Sequence, residues 1–348
     1  MASTSAPGWK VCDLHDDRPR VTIGIPTFNG EPAIGQAVES ALAQDYDSFE
    51  VLVVDNCSTD RTPEILAEIA ARDPRLRVVR NRENIGQNHN FTRVFELAQG
   101  EFFRWLGTDD VLEPSYVGKC VAAFDNNPEV VMVTTYQRHV SDDGIIEYAE
   151  YQGQRVVAAE AIDRLGQLLP LLSSGDYRLI DPVYSMMRSS TLHDTSLVLP
   201  LQFGDALLSA EMSLLGPWAH VPEPLSNRTL TPFPKGSQAY RRYATRPEEK
   251  ESLVAWLYAR IQRLVLCKAM LGLVWRGPHG IRGKVRGSSH IARFYLVTNF
   301  TRVRNALIRR LPLGSRPRLP GLDDADTFSG SAGQLEARRV TAPITSRT

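Results

Sequence analysis

Two adjacent carboxylates, Asp109 and Asp110, are the side chains of this sequence best suited to chemistry. They follow the segment 101–106, whose aromatic and apolar residues predict a buried strand, so they lie just beyond its carboxyl end. Neighbouring carboxylates in such a place can bind a hard divalent cation such as Mg²⁺ or Mn²⁺. A cation held there can neutralise a diphosphate and make it a better leaving group. The pair therefore indicates a phosphate-containing substrate.

Three more polar clusters follow predicted strands in the same way, at residues 26–31, 55–60 and 81–86. Any one cluster is also explained by the turns and helix caps that each strand-to-helix connection needs. Four in succession favour a ligand cleft, because open α/β sheets bind ligands beyond the carboxyl ends of their strands.

The elements that position these clusters alternate along the first half of the chain. Strands are predicted at 21–25, 49–54, 76–79, 101–106 and 130–135, and helices at 31–43, from 60, at 90–98 and at 114–124. This alternation predicts an α/β fold with a mostly parallel open sheet flanked by helices. In the second half, helices are predicted at 159–172, 206–215, 248–275 and 291–311, and a hairpin turn at 142–144.

Several other chemistries are excluded by missing motifs. The sequence has no Gly-x-Gly-x-x-Gly after the first strand, no P-loop and no Gly-x-Ser-x-Gly elbow. His89 and His139 have no paired ligand at metal-binding spacing, so we expect structural or surface roles for them. The four cysteines are not spaced as zinc ligands, and no signal peptide is recognised, so we expect a cytoplasmic protein.

Composition and charge describe a globular protein with an uneven charge distribution. The chain has 348 residues, 43% apolar and 23% charged, which excludes a disordered chain, a collagen and a disulfide scaffold. Its net charge is zero, yet residues 252–322 contain 14 Lys and Arg and no Asp or Glu. Two explanations for the basic helices stay open. In the first, residues 252–318 bind peripherally to the anionic inner face of a membrane. In the second, they pack on the catalytic domain and leave a basic face exposed to solvent. No motif indicates nucleic acid as a partner.

The ordered set of strand-end motifs resembles glycosyltransferase family 2. The set is Ile-Pro-Thr-Phe-Asn-Gly-Glu, then Val-Val-Asp-Asn-x-Ser-x-Asp, then Asn-x-Gly, then Asp-Asp-x-x-x-Pro, within residues 20–135. The resemblance implies a GT-A fold, a nucleotide-diphospho-sugar donor, a divalent metal, Mg²⁺ or Mn²⁺, and inversion at the anomeric carbon.

The resemblance also assigns site residues. It implies that the nucleotide sugar is bound by Pro26, Thr27, Phe28, Asn29, Glu31, Asp55, Asn84, Gly86 and Asp109. It implies that Asp110, with Asp109, binds the metal, and that Phe28 stacks on the base unless it is a core aromatic. The chain departs from the family pattern at Gly107, where a further Asp is common, and after Asn84, where the common Arg is displaced to Arg93 or lost.

An inverting transfer needs a carboxylate that takes the proton of the acceptor hydroxyl. The family places this base at the start of a helix in the second half, and the matching residue here is Asp205. A plain helix cap is the alternative role for Asp205. Glu211 is a weaker candidate, and Asp176, Asp181 and Asp194 are outside candidates.

The predicted organisation has four parts. They are an N-terminal arm at 1–19, a GT-A catalytic domain at 20–235, a basic helical extension at 236–312 and a disordered tail at 313–348. Within the catalytic domain, 20–135 would bind the nucleotide sugar and 136–235 the acceptor. The predicted function is an inverting glycosyltransferase that moves a sugar to a hydroxyl of a glycan, a lipid-linked glycan or a small metabolite. A sugar nucleotidyltransferase and an inactive membrane-associated GT-A scaffold are the alternatives.

Overall fold

The structure is a computed structural model that describes residues 18–140, 145–151, 156–174, 182–197, 204–229, 253–309 and 337–343. The strands, in chain order, are β1 Val21–Thr27, β2 Phe49–Asp55, β3 Leu76–Arg80, β4 Phe102–Trp105, β5 Val111–Leu112, β6 Met132–Val140, β7 Ile145–Tyr151, β8 Met186–Arg188, β9 Trp218–Thr229 and β10 Ala337–Pro343. The helices are α1 Ile34–Leu42, α2 Thr62–Ala70, α3 Gln87–Glu96, α4 Tyr116–Asp125, α5 Ala161–Ser174, α6 Ser189–His193, α7 Gly204–Leu215, α8 Leu253–Arg276 and α9 Ile281–Arg309.

One sheet organises the described residues, with strand order β10-β7-β6-β8-β4-β1-β2-β3. Strands β4, β1, β2 and β3 are parallel to one another, whereas β8 is antiparallel to β4 and to β6. The short strand β5 pairs with β9, which also runs parallel to β6. The predicted mostly parallel sheet is confirmed, and its parallel half contains the four strands that precede the polar clusters.

The two inner strands of the parallel half, β1 and β2, are mostly apolar because both faces of the sheet are covered. All residues of β1 and β2 are buried, as parallel sheets between helical layers require. Helices α1, α2 and α4 cover one face, and α3, α5, α7, α8 and α9 contribute to the core on the other. Successive side chains of β2 alternate between these cores: Val53 lies in the first and Val54 in the second.

Several boundaries differ from the sequence predictions. Helix α3 begins at Gln87 rather than at 90, and α9 begins at Ile281 rather than at 291. Glycines interrupt the apolar pattern at the start of α9, but they allow close packing there. A Cβ on Gly287 would lie 2.9 Å from Val274 of α8 and 3.1 Å from Ile162 of α5.

Strand β10 was not predicted, because it depends on a partner distant in sequence. It pairs with β7, which pairs in turn with β6, the strand that precedes it in the chain. Residues 337–343, which form β10, lie within the tail for which composition predicts disorder. The turn predicted at 142–144 lies outside the described residues, as does most of the N-terminal arm.

A matched pair of valines tests the two-sided burial of the sheet. Val53 of β2 and Val78 of β3 are register partners, but Val53 is fully buried and Val78 is 37% exposed. We expect Val53→Ala to lower the free energy of unfolding by about 2 kcal/mol, because two buried methyl groups are lost. Val78→Ala should cost less than about 0.5 kcal/mol. Urea unfolding of both variants measures the difference, and equal losses would contradict the described burial.

Candidate functional site

The loops after β1 and β2 are joined by reciprocal hydrogen bonds. The backbone N–H of Asn29 donates to Oγ of Ser58 at 2.8 Å, and Oδ1 of Asn29 accepts from the N–H of Thr59 at 2.8 Å. Further along, the N–H of Glu31 donates to Oδ2 of Asp60 at 3.0 Å. The first two polar clusters therefore form one continuous surface, as the sequence predicts.

Both loops contain a non-glycine residue in the left-handed backbone region. The φ angle of Asn29 is 51°, and that of Cys57 is 66°. Such conformations cost on the order of 1–3 kcal/mol and persist where surrounding contacts fix them, which is common at ligand sites. Phe28, next to Asn29, is 47% exposed, so it is not a core aromatic and its ring is available to a ligand.

Asp55, the last residue of β2, is buried at the carboxyl edge of the sheet with 1% exposure. Its Oδ1 accepts hydrogen bonds from the backbone N–H and the hydroxyl of Ser58. Its Oδ2 lies 3.3 Å from Nε of Arg80, whose Nη2 also donates to the Ser58 carbonyl at 2.7 Å. Arg80 was not predicted to be a site residue, because its pairing with Asp55 follows from the register between β2 and β3.

Four asparagine side chains hold the third cluster against the end of β2. Asn56 donates to Asn84 at 2.9 Å, and Asn81 donates to both Asn56 and Asn90 at 2.9 Å. Asn90 in turn donates to the carbonyl of Val54 at 3.0 Å. Buried amides need such partners, so the network fixes the loop before α3. Of its members, only Asn84 was predicted to be a site residue.

Gly86 connects this network to α3. Its φ of 85° and ψ of 158° fall in a region that is essentially restricted to glycine. Its N–H donates to Oδ1 of Asn84 at 2.9 Å, and α3 begins at the next residue. Asn84 and Gly86 thus lie together at the sheet edge beside the β2 loop.

Asp110 lies beyond the carboxyl end of β4 and is 2% exposed. Its Oδ2 is 3.4 Å from Nε of Arg228. Val111 of β5 pairs with Asn227 of β9 in antiparallel register. This pairing explains the ion pair, because Asp110, which precedes Val111, then lies opposite Arg228, which follows Asn227. The guanidinium of Arg228 also lies 4.1 Å over the ring of Tyr184.

A buried arginine anchors β9 in that register. Arg104 of β4 is fully buried, and its Nη2 donates to Oγ of Ser226 at 2.8 Å. Its guanidinium lies 4.2 Å over the ring of Tyr116, which belongs to α4. Arg104 therefore ties β4, β9 and α4 together and sets where Arg228 meets Asp110.

Gly107 occupies the position where the family pattern often has an additional Asp. A Cβ on Gly107 would lie only 2.5 Å from Oδ2 of Asp110. The glycine therefore lets the Asp110 carboxylate fold back over the turn. The next residue, Thr108, donates from its hydroxyl to the carbonyl of Pro26 at 3.2 Å, which links this turn to the end of β1.

The chemistry of Asp109 and Asp110 fits a divalent cation. Burial raises the pKa of Asp109, and the positive charge of Arg228 counteracts part of that rise. Partly buried carboxylates are stabilised by a nearby cation, and carboxylate oxygens suit Mg²⁺ and Mn²⁺. Among the described residues, no three acidic, His or Cys side chains form a cation site. A cation here would thus draw its other ligands from phosphate oxygens and water.

Asp205 stands on a different element, in the first turn of α7, and is exposed. Helix α7 begins at Gly204, so Asp205 lies inside the helix rather than before it. Its Oδ1 accepts from the N–H of Ala206 at 2.8 Å. The positive end of the helix dipole favours the ionised carboxylate here.

The other acidic candidates differ in their surroundings. Glu211 is 8% exposed, and it accepts hydrogen bonds from the backbone N–H and the hydroxyl of Ser196. Asp194 is exposed at the end of α6. Asp176 and Asp181 lie outside the described residues.

Comparison with known proteins agrees with this geometry. The family model described as Glycosyl transferase family 2 matches residues 22–178, which contain all four strand-end clusters. The chain is 35% identical over 126 residues to chondroitin synthase of Escherichia coli, covering 36% of this chain and 18% of that protein. It is 33% identical over 133 residues to hyaluronan synthase of Pasteurella multocida, covering 38% of this chain and 14% of that protein.

The chain thus spans less than a fifth of the length of these two curated relatives. Among solved structures, S. aureus TarS 1-349 in complex with UDP-GlcNAc covers 86% of this chain and 78% of its own. The two chains are 17% identical and have a TM-score of 0.61, a likeness that shows the shared fold. Residues 22–178 of this chain therefore match glycosyltransferase family 2, and the chain shares the GT-A type of fold with that solved structure.

Proposed function

We propose that this chain is an inverting glycosyltransferase that moves a sugar from a nucleoside diphosphate to a hydroxyl group. The observation that carries the proposal is the buried Asp110 carboxylate beside Arg228, at the sheet edge that also holds Asp55. This edge combines buried carboxylates, a fixed guanidinium and hydrogen-bonding loops. A diphosphate with a polar nucleoside on one side and a sugar on the other suits that combination.

Binding of the nucleoside is assigned to the loops after β1, β2 and β3. The exposed ring of Phe28 can stack on the base, and the loop from Pro26 through Thr27 and Asn29 to Glu31 offers polar backbone groups. The carboxylate of Asp55 and the Asn84–Gly86 loop lie next to it and suit the base and ribose. The match of residues 22–178 to glycosyltransferase family 2 supports a nucleotide-sugar donor, and the similar solved structure contains UDP-GlcNAc.

The diphosphate is assigned to the turn after β4. Asp110, with Asp109, would hold Mg²⁺ or Mn²⁺, which supplies positive charge to the departing diphosphate. Arg228 lies 3.4 Å from Asp110 and adds a fixed positive charge to the same place. Tyr184 limits the movement of that guanidinium, because Arg228 stacks 4.1 Å from its ring.

The role of the base that takes the proton of the acceptor hydroxyl is assigned to Asp205. A base must be reachable by an incoming acceptor, and Asp205 is exposed on the first turn of α7. Ionisation is favoured there by the helix dipole, so the carboxylate is ready to accept a proton. Glu211 suits this role less well, because it is buried and already accepts two hydrogen bonds from Ser196.

The acceptor is proposed to be a hydroxyl of a glycan, a lipid-linked glycan or a small metabolite. The similarity to chondroitin and hyaluronan synthases supports a glycan. A sugar nucleotidyltransferase fits less well, because the loop at residues 26–31 has neither Lys nor Arg for a triphosphate.

Binding of the donor is expected to require a divalent cation and Asp110. Calorimetry with nucleoside diphosphates and their sugars should show one nucleotide that binds with Mn²⁺ and binds at least about tenfold more weakly without it. Asp110→Ala should abolish the metal dependence. Asp47→Ala, an exposed carboxylate in the α1–β2 connection, is the matched control and should bind like the unchanged chain. A folded chain that binds no nucleotide would favour an inactive scaffold instead.

Turnover is expected to depend on Asp205 separately from binding. Asp205→Asn should lower kcat by about 10²–10⁴-fold, because the acceptor loses its general base, while the Kd of the donor stays within about twofold. Release of nucleoside diphosphate, with glycan acceptors or with water, measures kcat. Asp47→Asn, at an exposed carboxylate with no assigned role, is the control and should leave turnover unchanged. Unchanged turnover of Asp205→Asn would overturn the assignment of the base.

The structural role of Glu211 predicts a pH dependence of stability. Burial raises the pKa of Glu211 above its usual 4.5, so the folded chain holds this proton more tightly than the unfolded chain. The contribution of protonated Glu211 to the free energy of unfolding is fully present below pH 4.5. It is lost as the pH rises through the pKa of Glu211 in the folded chain. We expect the stability of Glu211→Gln to improve relative to the unchanged chain over that pH range. Denaturant unfolding at several pH values tests this, and a constant difference would contradict it.

A further inference from the structure

Helix α8 presents a row of apolar side chains to solvent. Ile261, Leu264, Val265 and Trp275 are 48%, 51%, 40% and 50% exposed. Counted from Ile261, the other three lie 3, 4 and 14 positions further on, and the exposed Lys268 lies 7 positions further on. These spacings place all five side chains on one side of the helix. The opposite side of α8, which includes Met270 and Val274, is buried in the core.

Helix α9 presents a second exposed row, in which apolar and basic residues alternate. Val285, Leu296 and Val297 are 58%, 66% and 42% exposed, and Arg282 and Arg293 lie on the same side of the helix. The other side of α9 is packed into the domain through Ile291 and Phe294. Each helix thus uses one side for the core and leaves the other exposed.

Contacts between the two helices join the rows into one surface. The indole N–H of Trp275 donates to Oγ of Ser288 in α9 at 3.1 Å, and Nζ of Lys284 lies 6.0 Å from the Trp275 ring. Farther along, Nη1 of Arg263 donates to Oδ1 of Asn299 at 3.0 Å. We call the exposed residues of both rows the α8–α9 surface: Ile261, Leu264, Val265, Lys268, Trp275, Arg282, Val285, Arg293, Leu296 and Val297.

The charge of this region is of one sign. Residues 253–309 contain no Asp or Glu, whereas 11 of them are Lys or Arg. One of these, Arg286, is paired with Asp163 of α5 at 3.1 Å, while Arg282 and Arg293 are exposed. An apolar stripe bordered by cations complements a surface that is anionic and has an apolar interior.

We propose that the α8–α9 surface binds the face of an anionic phospholipid bilayer. The apolar row would enter the boundary between headgroups and acyl chains, and the cations would lie among the lipid phosphates. The helices would lie along the bilayer, and among the described residues no helix is apolar over a length that could span one. A second copy of the chain fits less well, since two faces without acidic residues repel each other.

The test measures partitioning of the full chain onto vesicles. We expect co-sedimentation with vesicles of phosphatidylcholine mixed with phosphatidylglycerol, and little with phosphatidylcholine alone. Raising the salt concentration should weaken the binding, because the attraction to anionic lipid is screened. Arg293→Glu should weaken partitioning by about tenfold, because an acidic residue replaces a basic one at the anionic surface. Leu264→Glu should weaken it by a similar factor.

Matched controls distinguish a loss of binding that is specific to the α8–α9 surface from the effect of adding a negative charge anywhere on the protein. Arg72→Glu changes an exposed arginine of the segment after α2, and Leu215→Glu changes a leucine that is 45% exposed at the end of α7. Both controls should keep more than half of the binding. All variants should have the circular dichroism spectrum and the urea unfolding midpoint of the unchanged chain, which verifies their fold without reference to the proposed transfer activity.

Three results would overturn the proposal. The first is a folded chain that does not bind the anionic vesicles. The second is binding that Leu264→Glu and Arg293→Glu leave unchanged. The third is a dimer in solution that Leu264→Glu dissociates, because the surface would then be covered by a second copy.

Discussion

The parallel alignment of β4, β1, β2 and β3 is the constraint on which the rest of the site depends. Parallel strands end at the same edge of the sheet, so the four polar turns that follow them necessarily lie side by side at that edge. The alignment itself depends on the burial of both sheet faces, because only helical crossovers connect neighbouring parallel strands. The position of these loops is thus a consequence of how the hydrophobic residues are arranged.

Burial of polar groups at this edge is made tolerable by specific partners. Asp55 faces Arg80, Asp110 faces Arg228, and the asparagines around Asn81 satisfy one another. A buried charge or amide without a partner would cost several kcal/mol, so these contacts also hold each group in a defined orientation. The same contacts therefore stabilise the fold and preorganise the proposed diphosphate site.

The second half of the chain completes the sheet edge and adds a face of different character. Strand β9 brings Arg228 to Asp110, and α7 presents Asp205. Helices α8 and α9 extend the core on the side of α5 and α7, and their exposed sides are apolar and basic.

The sequence by itself determined the alternating elements, the mostly parallel sheet and the four strand-end clusters, because these depend on local hydrophobic periodicity and turn chemistry. It also singled out Asp55, Asn84, Asp109 and Asp110, which the structure brings to one edge, while the chemical roles of these residues stay predictions. Only the tertiary structure decided the partners Arg80, Arg228 and Tyr184, since each acts through pairing between distant segments. The short strand β5 and the early start of α9 were decided in the same way, by register with β9 and by close packing at Gly287. Local patterns specify which elements form, but contacts between residues a hundred positions apart follow from packing of the whole chain.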